Sequence, residues 1–341
     1  MRKLIIQIPC YNEAGTLAVT LGDLPRQVAG YDIVEWLVVD DGSTDRTVDV
    51  ARECGVDHIV SLPHNQGLAK AFMAGLEASL RAGADTIVNT DADNQYSAAS
   101  IPDLVRPIVE RQVQIVVGAR PISDIEHFSP VKKLLQRIGS WTVRVASNTE
   151  IADAPSGFRA IHRSAALHLN TLSSYTYTLE TIIQAGHKNI SIVSVPIRVN
   201  GYLRPSRLMK SIPNYIKHSL LTILRIFIVY RPLRFFTWLG IVLLIPGLFL
   251  GGRFVVHYML GQGEGNVQSL ILTAILIISS FLAMLAGILA DLIATNRLIL
   301  EEVRTRLLRL DIARPGQDQA ENQADLATRL VASPSRGSRT S

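Results

Sequence analysis

The sequence predicts an α/β domain on a mostly parallel sheet, followed by amphipathic helices and a membrane-crossing helical pair. Three observations carry this. Short apolar, β-branched runs alternate with helical stretches through the first third of the chain. Carboxylate-bearing clusters follow three of those runs, at Tyr11-Asn12-Glu13, Asp40-Asp41 and Asp91-Ala92-Asp93. Two uncharged apolar segments lie in the last third, each near the ~20 residues that cross a ~30 Å hydrocarbon core.

In chain order, Leu4–Ile8 reads as a buried strand and Ala14 to Ala29 as an amphipathic helix. Val34–Val39 is a second strand, and Ser43 or Thr44 is placed to cap a helix over Arg46–Cys54. His58–Leu62 is a third strand, and Asn65-Gln66-Gly67-Leu68 leads into a helix over Ala69–Ala82. The strand from Ala84 to Val88 then runs into Asp91. This βαβαβαβ order implies right-handed crossovers. Ligands on such a sheet bind beyond the carboxyl ends of the strands, where the three polar clusters fall.

The chemistry is read at Asp91-Ala92-Asp93. At a strand end, i and i+2 carboxylates share one side of an extended chain, and Asn94 favours the turn that aims them into a crevice. Oxygen ligands of this kind suit Mg²⁺ or Mn²⁺ completed by substrate phosphates. A solvated acidic turn is the ordinary alternative, and the coincidence of three polar strand ends weighs against it. No GxGxxG follows the first strand and no GxxxxGK[ST] occurs in this half, so dinucleotide and P-loop sites are poorly supported. Asp41 fits a hydrogen bond to a ribose or base edge, or else a favourable charge near a helix N-terminus. Asp45 takes the second reading.

Ile8-Pro9-Cys10-Tyr11-Asn12-Glu13, Val39-Asp40-Asp41-Gly42-Ser43-Thr44-Asp45, Asn65-Gln66-Gly67 and Asp91-Ala92-Asp93 together resemble the family-two inverting glycosyltransferases. The nearest branch is the dolichyl- or polyprenyl-phosphate mannose and glucose synthases, and the resemblance spans roughly residues 3–230. It implies a GT-A fold, a nucleotide-sugar donor and a divalent metal, Mg²⁺ or Mn²⁺. Carried over, Pro9, Tyr11, Glu13 and Asp41 cradle the nucleoside, while Asp91, Asp93 and Gln95 approach metal and diphosphate. The family text after the second aspartate is Leu-Gln-His/Asp-Pro. Here it is Asn94-Gln95-Tyr96-Ser97, so Gln95 keeps its place and the proline is gone.

Ile115–Val117 reads as another strand closed by Gly118-Ala119-Arg120, and the resemblance assigns Arg120 to phosphate contacts and catalysis. Ile122–Ser129 reads as an irregular loop and Val131–Ser147 as an amphipathic helix. Asp153-Ala154-Pro155-Ser156-Gly157-Phe158-Arg159 matches the family's Asp-x-x-Ser/Thr-Gly-Phe/Tyr-Arg segment. Asp153 is then a catalytic candidate and Arg159 an acceptor-phosphate candidate; alternatively the two form a buried ion pair that holds the loop. Tyr175 to Ala185 reads as a helix ended by Gly186-His187, with Glu180 either organising the acceptor side or stabilising the helix N-terminus. Ile190–Ile197 is a further strand. Beyond it Arg198, Arg204, Arg207 and Lys210 gather around Pro205-Ser206, where related synthases carry Arg-x-x-Gly-x-Ser-Lys. Guanidinium groups bind phosphate through a bidentate fork. Arg204 is thus expected at the donor diphosphate, with Ser206, Arg207 and Lys210 at the acceptor phosphate.

Ser206–Tyr230 has helical periodicity and reads as interface-lying helices. Phe235–Gly252, with apolar character to about Leu260, and Leu270–Ala290 read as the two spans. Arginines flank the hairpin at 225, 231 and 234 and at 297, 304, 306 and 309, so both ends are expected on the cytoplasmic side of an inner or plasma membrane. The expected layout is a catalytic domain over 1–205, interface helices over 206–233 and two spans over 234–292. A tail over 293–341 follows, disordered after about 312. The opening strand leaves no segment of signal-peptide type, and two cysteines without metal spacing suit a reducing compartment. The net charge of +5 sits near apolar runs, which favours an anionic membrane surface and no nucleic acid. Amphipathic interface helices also offer a surface for a homo-oligomer.

A cytosolic nucleotide-sugar site beside a membrane hairpin suggests polyprenyl phosphate as acceptor. A phosphate monoester is largely dianionic at neutral pH and needs no strong base. The expected reaction is inverting transfer of one hexose from GDP-mannose or UDP-glucose, giving a polyprenyl phosphohexose. Transfer to a hydroxyl of a lipid-linked glycan or glycolipid would instead require a carboxylate base such as Asp153. A non-catalytic membrane scaffold is the third alternative. Processive polysaccharide synthesis is disfavoured by the short membrane region and the absence of a Gln-x-x-Arg-Trp motif.

Overall fold

A computed structural model describes residues 1–121, 143–144, 147, 149–171, 177–200, 228–260 and 267–313. Its elements are β1 (Lys3–Cys10), α1 (Leu17–Asp23), β2 (Ile33–Asp40), α2 (Thr47–Glu53), β3 (His58–Ser61), α3 (Leu68–Arg81), β4 (Thr86–Asn89), α4 (Ile101–Val109), β5 (Ile115–Ala119), β6 (Arg159–His162), α5 (Arg163–Ala166), α6 (Thr178–His187), β7 (Ile192–Pro196), α7 (Pro232–Met259) and α8 (Val267–Ala313). The strands form one sheet in the order β3-β2-β1-β4-β6-β5-β7.

Every pairing is parallel except those of β6, which runs antiparallel between β4 and β5. β1 is buried along nearly its whole length, as the continuous apolar run of a central parallel strand requires. Its side chains alternate between two cores. Ile5 faces α3 and α6 through Phe72, Leu76 and Ile182, whereas Leu4, Ile6 and Ile8 face α1 and α4 through Leu21, Leu104 and Val105. The sheet is therefore the middle of three layers, and β1 and β4 hold its centre.

Three elements escape the sequence reading, the single-turn α5 among them. β6 (Arg-Ala-Ile-His) has polar residues at both ends and only four residues in all, so it reads as loop. α4 contains Pro102 near its start and Pro107 inside, a composition that argues against a helix. It survives because an early proline lacks only a donor the first turn leaves unpaired, and the helix ends two residues after the second.

α7 has 28 residues and α8 has 47, and both are long and apolar enough to cross a membrane. They pack along one another, Gly240 against Met284 and Gly251 against Thr273. Outward they present Trp238, Phe249, Ile278 and Phe281, all exposed. These helices are candidate membrane spans.

The expected boundary between the second span and the tail, after residue 292, falls within one helix. α8 continues past Asp291 without interruption and reaches the sheet domain. Glu301, only 6% exposed, pairs with Lys188 at 2.8 Å and with Arg297 at 2.9 Å. Arg297 also reaches the Tyr230 hydroxyl at 3.3 Å, and Arg309 meets His168 Nε2 at 3.0 Å. Leu308 and Ile312 pack against the core under α3 and α6.

The loop over 122–129, most of the helix over 131–147, the basic segment with Arg204, Ser206, Arg207 and Lys210, the interface helices before residue 228 and the tail from 314 lie outside the described residues.

Candidate active site

The site is assembled at the carboxyl ends of β1, β2, β4 and β5. After β1, Asn12 adopts a left-handed φ of 54° and its Oδ1 accepts from Thr44 N at 2.8 Å, tying this turn to the one after β2. Glu13 is buried; its Oε2 accepts from Thr16 Oγ1 at 2.9 Å, and its backbone N–H donates to Thr47 Oγ1 at 2.9 Å. Pro9 is buried inside β1 and Tyr11 is 40% exposed at the crevice rim, where its ring is presented to solvent.

After β2, Asp40 and Asp41 are both buried. Asp41 accepts from the backbone N–H groups of Gln66 at 2.7 Å and Gly67 at 2.9 Å. It therefore organises the loop that opens α3, a partner the sequence reading did not identify. Asp45 accepts from Thr47 N at 3.0 Å beside the start of α2, the helix-end role expected of it.

After β4 the chain turns at Ala92 and Asp93, with Ala92 buried and Asp91 and Asp93 half-buried. Thr20 Oγ1 donates to Ala92 O at 2.9 Å. Asn94 then turns with φ 54°, as its residue type predicts. Its amide donates to Asp23 at 2.7 Å, and Asn200 returns a hydrogen bond to its carbonyl at 3.0 Å. Asn200 N also donates to Gln95 O at 2.9 Å, so the strip after β7 brackets the acidic loop. Asn200 carries no motif that could have marked it in the sequence.

The acidic loop leans on the segment before β6. The Gly157 carbonyl accepts from Asn89 Nδ2 at 2.9 Å, its N–H donates to the Tyr96 hydroxyl at 3.0 Å, and the Tyr96 ring stacks on Phe158 with centroids 5.1 Å apart. A Cβ at Gly157 would lie 3.2 and 3.3 Å from the two Asp91 carboxylate oxygens and 2.9 Å from the Tyr177 hydroxyl, so only glycine leaves Asp91 room.

The charges divide sharply. Asp153, 1% exposed, takes Arg120 in a bidentate pair, Nε at 2.7 Å and Nη2 at 3.0 Å, and also accepts the Arg120 backbone N–H at 3.2 Å. Burial alone would lower the Arg120 pKa, but Asp153, with help from Tyr96 and Asp91, holds it above the ordinary value. Asp91 accepts no side-chain or backbone hydrogen bond among the described residues. Burial first and the Asp93 charge second push its pKa up to about 7, against a downward pull from Arg120. The Cys10 thiol is raised by burial and then by Glu13, Asp40, Asp45 and Asp91, which marks the crevice as strongly negative.

Two expectations are corrected here. The buried ion pair joins Asp153 to Arg120, not to Arg159. Arg159 is 1% exposed and donates to the carbonyls of Ser156 and Ala154, both at 2.9 Å, and to Thr181. Burial lowers its pKa to about 10. A guanidinium enclosed in this way braces the 154–156 loop and does not present itself to an acceptor phosphate.

No three His, Cys, Asp or Glu residues cluster as a self-sufficient metal site among the described residues. Two hard-oxygen carboxylates two residues apart, Asp91 with no hydrogen bond among the described residues and Asp93 accepting the Gln95 N–H at 3.2 Å, with space beside Asp91 kept open by Gly157, nevertheless fit a divalent cation whose other ligands come from a diphosphate.

Residues 5–169 match the family described as Glycosyl transferase family 2. The undecaprenyl-phosphate mannosyltransferase of Micrococcus luteus is 30% identical over 207 residues, covering 58% of this chain and 83% of that protein. The UDP-N-acetylglucosamine–dolichyl-phosphate N-acetylglucosaminyltransferase of Methanococcus voltae is 28% identical over 219 residues, covering 58% and 85%. Glucosyl-3-phosphoglycerate synthase from Mycobacterium tuberculosis, in complex with Mn²⁺, UDP-glucose and phosphoglyceric acid, superposes with a TM-score of 0.51 at 22% identity over 65% of this chain and 79% of that one. That likeness establishes the GT-A fold. On sequence and architecture together, this chain belongs to glycosyl transferase family 2.

Proposed function

We propose that this glycosyltransferase moves one hexose from a nucleotide-sugar, GDP-mannose or UDP-glucose, to polyprenyl phosphate with inversion at the anomeric carbon. The observation that carries the reading is the contrast between the acidic groups. Asp91 and Asp93 face the crevice, while Asp153, the carboxylate a hydroxyl acceptor would need as a base, is closed off by Arg120. A phosphate acceptor needs no such base. The relatives' names support the same acceptor class, since one transfers mannose to undecaprenyl phosphate and the other N-acetylglucosamine to dolichyl phosphate.

In this reading an acceptor phosphate oxygen attacks C1 as the C1–O bond to the nucleoside diphosphate breaks, so an α-linked donor gives a β-linked product. Asp91, Asp93 and Gln95 would hold Mg²⁺ or Mn²⁺, and a bound ion would supply positive charge beside the departing diphosphate. Pro9, Tyr11, Glu13 and Asp41 shape the nucleoside end, Tyr11 being 40% exposed. Arg120 and Arg204 attend the donor phosphates; Ser206, Arg207 and Lys210 receive the acceptor. With α7 and α8 in an inner or plasma membrane and the arginine-rich flanks inside, the crevice and both termini face the cytoplasm.

The test is radiolabelled transfer by purified protein with each donor and polyprenyl phosphate, with and without Mn²⁺. A metal-dependent, acid-labile lipid product supports the reading, and its absence with both donors refutes the donor and acceptor assignment. Retention of anomeric configuration would overturn the inverting mechanism.

A further inference from the structure

Beyond the residues assigned above lie the cavity between α6 and α8, the pocket at the amino ends of β1 and β4, and the buried wall behind Asp91. The first is lined by cations and carboxylates already paired with each other, Lys188 and Arg297 with Glu301. The second is an open recess around Asp85 and Tyr31, both engaged in hydrogen bonds within the chain. The third carries an inference.

Asp91 lies against the space that a side chain at Gly157 would fill: a Cβ there would stand 3.2 and 3.3 Å from its two carboxylate oxygens. Gly157 is in turn gripped at both polar atoms. Its carbonyl takes Asn89 Nδ2 at 2.9 Å and the Tyr177 hydroxyl at 3.3 Å; its N–H has the Tyr96 hydroxyl at 3.0 Å. Tyr96 is 4% exposed, its ring is fixed by stacking on Phe158, and its backbone pairs with Val199. The hydroxyl is thus held at a set distance from the peptide that walls the Asp91 carboxylate. Asp91 and Tyr96 are linked again through the chain, five residues apart around the Asn94 turn, so loop and wall are clamped as one unit.

We propose that Tyr96 and Gly157 are positioning residues for the cation: the Tyr96 hydroxyl, acting through the Gly157 N–H, fixes the gap in which the Asp91 carboxylate meets a divalent metal. The inference rests on the metal assignment of the proposed function. It adds what sets the geometry of that carboxylate in this chain. Loss of the hydroxyl leaves a buried N–H unpaired and lets the wall shift, and a carboxylate displaced by a few tenths of an ångström loses cation affinity without losing charge.

The experiment is a titration of Mn²⁺ into the full chain in detergent with GDP or UDP present, followed by calorimetry or by the Mn²⁺ spin signal, alongside thermal melting. Tyr96→Phe keeps the ring and is expected to weaken Mn²⁺ binding about 10-fold, the equivalent of one buried hydrogen bond. Gly157→Ala, which presses directly on the carboxylate, weakens it further. Tyr31→Phe removes another phenol hydrogen bond, 2.8 Å to Thr86 Oγ1 at the opposite, amino end of β4, and is the stability-matched control that leaves Mn²⁺ affinity unchanged. Wild-type affinity in Tyr96→Phe overturns the inference, as does an equal loss in Tyr31→Phe. Weakened Mn²⁺ binding in the variants with no sugar transfer by the wild type would uphold this inference while refuting the acceptor assignment. No Mn²⁺ binding by the wild type with either nucleotide would overturn the metal site and this inference with it.

Discussion

The carboxylates at the end of β4 and in the segment before β6 share one crevice and differ in what stands beside them. Asp153 has a cation engaged at both oxygens, whereas Asp91 faces a second aspartate and a glycine backbone. Pairing makes Asp153 part of the scaffold, because a buried ion pair with excellent geometry is costly to break and has little to offer a substrate. The like-charged neighbour leaves the ionised form of Asp91 unfavourable, and in the metal reading proposed above a cation would relieve it, whereas the paired Asp153 needs none.

The contrast is broken most completely by Asp91→Asn. Transfer should fall by about three orders of magnitude, since the cation loses a ligand where leaving-group charge develops. Metal-free protein should nonetheless melt at the same temperature or higher at pH 8; a large loss of stability would mean that Asp91 is structural after all. Arg120→Met tests the other side. It leaves Asp153 buried without a counter-charge and should cost about 3–5 kcal/mol in denaturant unfolding. Adding Asp153→Asn should return much of that loss. If the double variant is no more stable than the single one, the pair does not brace the loop.

A pH series sharpens the comparison further. Asp91 has a folded pKa near 7 and an unfolded value near 3.8. The folded state therefore binds more protons between these values, and stability falls as pH rises through that window. Between pH 5 and pH 8 the metal-free protein should lose about 2–3 kcal/mol from this group. The slope should flatten in Asp91→Asn, and Mn²⁺ with nucleotide should oppose the loss at pH 8. A third carboxylate, Glu301, extends the series: it is 6% exposed and held by Lys188 and Arg297. Glu301→Gln should cost only about 1 kcal/mol in melting experiments, because both cations retain access to water. A loss as large as that of Arg120→Met would place the α8 contact among the main braces of the domain.

The legible parts of the fold were those with one dominant signal. β1, β2 and β4 are apolar runs ended by polar clusters, and the Asp91/Asp93 alternation with the Asn94 turn follows from residue type and spacing alone. β6 was illegible because its leading residue is an arginine, and nothing local says that Arg159 will be enclosed by loop carbonyls and Thr181. The Asp153 partner is hidden for the same reason: Arg159, one of the two readings the sequence leaves open, is closer in sequence, but the register of β5 delivers Arg120. The inner half of α8 did carry a signal. Ala294, Arg297, Glu301, Thr305, Leu308 and Ile312 recur at helical spacing and form the less exposed stripe. The charges between them disguised it as a solvated tail.

That uninterrupted α8 has a mechanical consequence. At 1.5 Å per residue its 47 residues span about 70 Å, more than twice a hydrocarbon core. In the bilayer placement proposed above, one rod is sunk in lipid at one end and bolted to the sugar-transferring domain at the other. A thicker or thinner bilayer then tilts the rod instead of stretching a linker, and the tilt is passed directly to the domain it carries. The height of the crevice above the headgroups becomes a property of the membrane as much as of the protein.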